Sequence, residues 1–547
     1  MLDWNAYYNM RNVLYKNPLN SFHKYSNRHV LVLEAIMPEQ NKYKLFHNAE
    51  LIRKASNELT GEMNKRYEQL MRTKKYRALK KLYDKYARAK DTEKLEDIKA
   101  QMAKMEKEYN VTWEYCRKTM IPIREKYGID AVFGLTAAED VWAGVKKCLY
   151  GNGEKLHFKS KDELPSIRAK QINRGIILKS DKNGGIFFTF NKMMIPVKIE
   201  DRFQRDEVTA ILNYMANAEQ LDKEAVESFL ETGYLLNTYR PCYATIVCQK
   251  IRNKHHVYIH LTIEGKPFPK YNKDGTPRHP LGYGIVGCDI GTQSIAYTSN
   301  TEVGLKNLAE RGNSIDRNER QEKLINRKLD RSRRANNPDN YNEDGTVKKG
   351  KKTWKKSKRY KKTLKRYRNK CRKSSINRHL AIDEELNHLR SLGDTFVTEP
   401  KNAAKLAKKA KKTTKNKNGK INRKKRYGKS IKNRCPGYFQ AQAEKKFKYY
   451  VEVDNDYRAS QYDHTADDYI KKKLSQRLYA LTDGTIVQRD WYSSFLLYCC
   501  DILTGKLDKN KCRKLFDDKY ALEIALIEFL KANNIKIKNS GIRIKAA

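Results

Sequence analysis

Nowhere in these 547 residues do eighteen apolar side chains stand in a row, so nothing in the sequence is suited to crossing a bilayer. No stretch reads as an interfacial helix with a strong apolar face, which argues against a membrane-surface protein. The opening MLDWNAYYNM lacks the apolar core of a secretory signal, so a cytoplasmic location is expected. Cysteines are present but never clustered. The ten at 116, 148, 242, 248, 288, 371, 435, 499, 500 and 512 contain no C-x-x-C pair. Dispersed this way in a basic chain, they read as reduced, buried thiols, with no disulfide and no cysteine-based zinc site.

Acid is scarce relative to base. Sixty-four Asp and Glu face 114 Lys and Arg, a formal net charge of +50. Self-repulsion at that level works against a compact state unless a polyanion compensates it. At roughly one negative charge per phosphate, neutralisation takes tens of nucleotides. The balance therefore points to extended contact with RNA or DNA and away from a single-nucleotide ligand. Length allows about three or four domains.

Along the chain, HVLVLEAIMP (29–38) reads as a strand, and residues 51–130 then turn helical and highly charged. Leu95, Ile98, Met102, Met105 and Tyr109 recur at 3-4-3-4 spacing, the stripe of a long amphipathic helix. Such a block can be a helical hairpin packing on itself, a recognition insert with a basic outer face, or both. Strand patterns return after about residue 170 in RGIILKS, GGIFFTF, MMIPVKI, CYATIVCQKI and HHVYIHLTIEG. They suggest a small β-barrel to which strand 29–38 belongs, with the helical block inserted. GKPFPKYNKDGTPRHPLG (265–282) is rich in Pro, Gly and charge and reads as a boundary. Beyond it come strands and then very basic helices. Tyr360, Leu364, Tyr367 and Cys371 share one helical face, and Ile376, Leu380, Leu386 and Leu389 mark an amphipathic helix over 376–392. The later run KKAKKTTKNKNGKINRKKR has no apolar seam and reads as a loop. Basic runs interleaved with aromatics favour phosphate contact over a merely solvated face.

Three carboxylates carry the chemical signal. In YGIVGCDIGTQSIAYTSN (283–300) an apolar strand delivers Asp289, Gly291 turns, and a second strand follows. That pattern occurs in RNase H-like nucleases and also in actin-like ATPases. In GDTFVTEPKN (393–402) a short strand ends on Glu399, and in LTDGTIVQRDWYSSFLLYCCDIL (481–503) a strand delivers Asp490 to a helix start. Singly, a strand-end Glu or a helix-start Asp has a bland explanation, the second as a cap. The order Asp, Glu, Asp, each at a strand end, is what an RNase H-like site needs. Phosphodiester hydrolysis by two Mg²⁺ ions uses such hard oxygen ligands and no Cys or His.

Together, GCDIGTQSIA, the basic helix NRKLDRSRRANNPDNYN (326–342), VTEPKN and VQRDWYSS make residues 281–547 resemble the RuvC-like nuclease domain of TnpB proteins and compact type V CRISPR effectors. The resemblance implies a multidomain α+β chain. A wedge-type β-barrel (1–50 with 151–280) would be interrupted by a helical recognition domain (51–150) and followed by an RNase H-like α/β nuclease domain (281–547). It implies an Mg²⁺-dependent DNA endonuclease of a prokaryotic cell, guided by a bound RNA to target double-stranded DNA beside a short flanking motif. Asp289, Glu399 and Asp490 would be the catalytic carboxylates and hold two Mg²⁺ ions. Arg327, Arg331, Arg333, Arg334, Arg359, Arg366, Arg368, Arg477 and Arg489 would contact nucleic acid. Alternatives on the same fold are a nuclease-dead RNA-guided DNA binder and a transposase-like strand-transfer enzyme. The last motif is degenerate, with Ser493 and Ser494 where Ala is usual. Family members also carry a zinc ribbon of two C-x-x-C pairs between the second and third motifs. Here the four ligand positions fall on Asp463, Ala466, Ala480 and Asp483, which cannot form a tetrahedral sulfur site. A zinc-free remnant of that lobe is expected over about 455–487.

Overall fold

The computed structural model describes residues 28–544, apart from 90, 152, 154, 161–165, 183–184, 233–235, 252–253, 312–313, 409–426 and 474. The opening segment and nearly all of the basic run expected to be a loop lie outside the described residues. The chain divides into two compact units, at residues 2–269 and 270–547.

In the first unit a seven-stranded antiparallel sheet has the order β2-β6-β7-β1-β5-β4-β3. Its strands are β1 (Arg28–Ala35), β2 (Ile167–Arg168), β3 (Ile176–Ser180), β4 (Ile186–Phe190), β5 (Met193–Lys198), β6 (Pro241–Ile251) and β7 (Lys254–Glu264). The sheet curls into a half-barrel, which corrects the expected barrel: β2 and β3 form no ladder with each other among the described residues. Among the described residues five helices separate β1 from β2: α1 (Glu39–Arg72), α2 (Lys74–Ala89), α3 (Thr92–Glu108), α4 (Trp113–Lys126) and α5 (Ala131–Tyr150). The helical block thus starts at Glu39, not 51, because Leu45, Ala49, Ile52, Leu59 and Met63 already form a buried helical stripe. In α3 the expected stripe holds, with Ile98 and Met102 buried. Sequence reading passed over α6 (Arg202–Thr232), which is kinked at Asn217. Its core face includes Glu207, fully buried and accepting from the Phe268 amide at 2.9 Å, so a charge interrupts the apolar pattern.

The second unit is built on a five-stranded sheet of order β10-β9-β8-β11-β12. Here β8 (Ile285–Ile290), β9 (Ser294–Thr298) and β10 (Val303–Asn307) form an antiparallel meander, while β11 (Thr395–Thr398) and β12 (Tyr449–Glu452) add in parallel. The parallel crossover from the meander contains α7 (Ser314–Ala335) and α8 (Lys358–Leu392), and α9 (Pro436–Lys446) precedes β12. The basic helix expected around Tyr360–Cys371 and the amphipathic helix expected over 376–392 are one continuous α8, and its buried face is Ser374, Ala381, Ile382, Leu386 and Leu389. Ile376 and Leu380 are exposed. Two ribbon-like hairpins follow β12: β13 (Tyr462–Asp463) with β14 (Asp468–Tyr469), and β15 (Leu478–Ala480) with β16 (Ile486–Gln488). Helix α10 (Arg489–Tyr498) starts directly from β16, and α11 (Lys509–Ala532) ends the regular structure.

From Trp491 to Tyr498 every residue of α10 is buried, because this helix lies flat on the sheet. Gly287 of β8 allows the close approach: a Cβ there would stand 2.2 Å from the Tyr498 nitrogen and 2.4 Å from the Ser494 oxygen. Among the described residues no helix is long and apolar enough to cross a membrane.

Candidate functional site

Asp289 is the fifth residue of the central strand β8, and Glu399 follows the last residue of β11. The two strands are parallel, with Thr398 paired to Cys288, so one step further Glu399 comes level with Asp289. Side chains level across a parallel pair project to the same face. Asp490 is the second residue of α10, the helix laid on β8 through Gly287. Three segments far apart in sequence thus bring their carboxylates to one end of the sheet.

Electrostatics register that meeting. Burial raises the proton affinity of Glu399, and the charge of Asp289 raises it further. Asp490 behaves alike, pushed up by burial and then by Asp289. Like charges gathered out of water disfavour joint ionisation. Cations partly offset this. Lys401 Nζ lies 3.6 Å from Asp289 Oδ1, and Arg477 Nη1 donates to Asp490 Oδ1 at 3.3 Å. Arg489 opposes the rise at both Glu399 and Asp490. Glu399 also accepts the Ala459 amide at 3.1 Å.

An all-carboxylate donor set that already draws cations fits a hard divalent ion such as Mg²⁺. Among the described residues, however, no three His, Cys, Asp or Glu side chains stand close enough to hold one ion. The carboxylates are electrostatic neighbours that do not surround a common point.

The degenerate third motif has a local explanation. Ser494 is fully buried, and its Oγ lies 2.9 Å from Thr298 Oγ1, a hydrogen bond that ties α10 to β9 and that alanine could not make. The arginines expected to bind nucleic acid fall into three groups. Arg327, Arg331, Arg359, Arg366 and Arg368 are exposed on α7 and α8. Arg333 and Arg334 both bond Asp330, and their guanidinium groups stand 5.3 Å and 4.8 Å from the Trp354 and Tyr341 ring centres. These two fasten the 336–357 connection to α7. Arg477 and Arg489 belong to the carboxylate site. Of the four expected zinc-ligand positions only Asp463 is buried; Ala466, Ala480 and Asp483 are exposed.

Sequence reading missed Lys401, although it stands two residues beyond Glu399 in the motif itself. It also missed Glu523 of α11, which is buried and accepts the Gln488 amide at 2.8 Å, just before Asp490.

No protein-family model matches the chain, and no curated protein matches it. Solved structures resemble it only distantly. A Cas12f1–sgRNA–target DNA complex gives a TM-score of 0.38 at 11% identity, over 81% of this chain and 82% of that one. A Cas12i1 R-loop complex before target DNA cleavage gives 0.25 at 9% identity, over 89% of this chain and 60% of that one. Likenesses this faint assign neither family nor activity.

Proposed function

We propose that this protein is an RNA-guided DNA endonuclease. In this reading residues 270–547 are an RNase H-like, RuvC-type nuclease domain, and the partners are a guide RNA and target double-stranded DNA. The observation that carries the reading is the meeting of Asp289, Glu399 and Asp490 at the end of a mixed sheet whose central strand bears the first of them. Exposed arginines on α7 and α8 and the +50 charge supply the polyanion-binding capacity that such an enzyme needs.

Asp289, Glu399 and Asp490 would hold the Mg²⁺ ions, which when bound acidify a water and stabilise the leaving oxyanion. The chain's own part is positioning. Strand β8 and helix α10 fix two carboxylates through a backbone contact that leaves no room for a side chain at Gly287. Lys401 and Arg477, which contact Asp289 and Asp490, are the cations that would meet the charge of a scissile phosphate. Arg489 offers a further positive charge at the same place. Sequence specificity is left to base pairing, and the protein grips backbones.

The test starts with protein purified from cells carrying its own locus. Sequencing the bound RNA is expected to return one defined species with a variable end; random fragments would refute guidance. With that RNA and Mg²⁺, matched duplex is expected to be cut. Binding without cutting would favour the nuclease-dead alternative, and joined strands would favour the transposase-like one.

A further inference from the structure

Between the second and third carboxylates the chain forms the two short hairpins β13–β14 and β15–β16. Two-residue and three-residue strands have too few ladder bonds to hold a place by themselves. Yet β15–β16 carries the site: Arg477 immediately precedes β15, and Asp490 stands two residues beyond the end of β16. Leu478 pairs with Gln488, and the Arg489 amide donates to the Arg477 oxygen at 2.9 Å. Any slippage of this hairpin moves both groups.

Its β16 strand is held from α11, where Glu523 accepts the Gln488 amide and the Tyr520 hydroxyl donates to the Ile486 oxygen at 2.9 Å, and its tip is tied down by a second carboxylate. Asp463, with no exposed surface, stands at the end of β13. Its Oδ1 accepts the Thr465 amide at 3.1 Å and the Thr465 hydroxyl at 2.7 Å. Its Oδ2 accepts the Thr482 amide and hydroxyl, both at 3.1 Å. Thr465 lies in the β13–β14 turn and Thr482 at the tip of β15–β16, so the two oxygens bridge two turns. Next along the chain, His464 Nδ1 lies 2.8 Å from the hydroxyl of Tyr492, two residues beyond Asp490. Lys472 Nζ sits 3.6 Å from the Tyr479 ring centre, shielded from solvent and within electrostatic reach of Asp463.

We propose that Asp463 is a positioning residue, a carboxylate clip whose four hydrogen bonds lock the β15–β16 hairpin and thereby hold Arg477 and Asp490 at the site. It does for these turns what a four-coordinate metal would do, with oxygen as the common centre. The role in catalysis rests on the nuclease reading above; the clip itself does not. An Asn at 463 turns one acceptor into a donor facing a backbone amide, so that bond is lost and replaced by repulsion, while the facing Thr hydroxyl must turn to accept.

The test uses the full chain and two readouts. Hydrogen exchange is followed at the amides of Thr482, Arg489 and Trp491, and cleavage is followed against Mg²⁺ concentration. Asp463→Asn is expected to speed exchange at these amides but not across β9 and β10, and to shift half-maximal Mg²⁺ upward or slow cutting on the order of 10-fold. DNA binding stays intact. Thr482→Val, a milder change, is expected to act in the same direction, and Thr482→Ser to behave as wild type. Unchanged exchange in Asp463→Asn would overturn the clip, whether or not the protein cuts DNA. Local exchange that rises while Mg²⁺ dependence and rate stay at wild-type values would overturn the positioning role. Wild-type protein that binds but does not cut would remove the nuclease reading, with the exchange result still deciding the clip.

Discussion

At Asp289, function and stability oppose each other. Its charge raises the proton affinity of both Glu399 and Asp490, so the metal-free protein carries an unfavourable cluster. Asp289→Asn is therefore expected to raise the melting temperature in EDTA, by a stabilisation on the order of 1 kcal/mol; a lower one would count against the cluster. Glu523 shows the same physics away from the proposed chemistry. Burial pushes its carboxyl up to about 8, the amide of Gln488 opposing less strongly. Below an ordinary unfolded-state value near 4.5 both states hold the proton. As pH rises from there to about 8 only the folded state keeps it, so stability falls across that window. Glu523→Gln is expected to abolish this loss, and thermal melts from pH 4 to 9 should diverge progressively from wild type. Parallel curves would show that Glu523 is ionised in the fold. Asp289 is legible in the sequence, because an apolar strand, an acid and a glycine turn leave few other readings. Glu523 and Glu207 are not, since a buried acid is indistinguishable from a surface one until its partner amides are known.

Among the elements, α10 on β8 is the critical joint. Adding a methyl at Gly287 would place carbon 2.2 Å from backbone nitrogen, which no rotamer change relieves. Gly287→Ala is expected to cost about 3 kcal/mol or more, seen as a sharply lower denaturation midpoint; a near-neutral result would mean that α10 does not lie on β8. The basic helices divide differently. Arg327 and Arg331 face solvent, whereas Arg333 and Arg334 hold Asp330 and the ring faces of Trp354 and Tyr341. Replacing Arg327 and Arg331 with Ala is expected to reduce the salt dependence of nucleic-acid binding by about one log–log unit each, with stability unchanged. Replacing Arg333 and Arg334 should mainly lower stability. Helices were legible where their stripe was apolar, as in α3. The face of α8 was misjudged because Ile376 and Leu380 extend an apolar pattern that the fold leaves exposed. Helix α6 was hidden by the buried charge at its core. The curl of the first sheet depends on which edges pair, a property no single strand encodes.

For the whole molecule, the excess of fifty positive charges and the meeting of three acids are one account: a cationic protein with three half-buried acids where phosphate chemistry would occur. The order of Asp289, Glu399 and Asp490 along the chain could be read in advance. That order already implied one shared site; what it did not carry is the geometry, which depends on the parallel register of β8 with β11 and on the seat of α10. The central claim is that this meeting cuts DNA. The most direct measurement compares wild type and Asp289→Asn, each loaded with the co-purified RNA, for binding and for Mg²⁺-dependent cleavage of matched duplex. The account predicts equal binding, cutting by wild type alone, and none by wild type in EDTA. Cutting that persists in Asp289→Asn would contradict it.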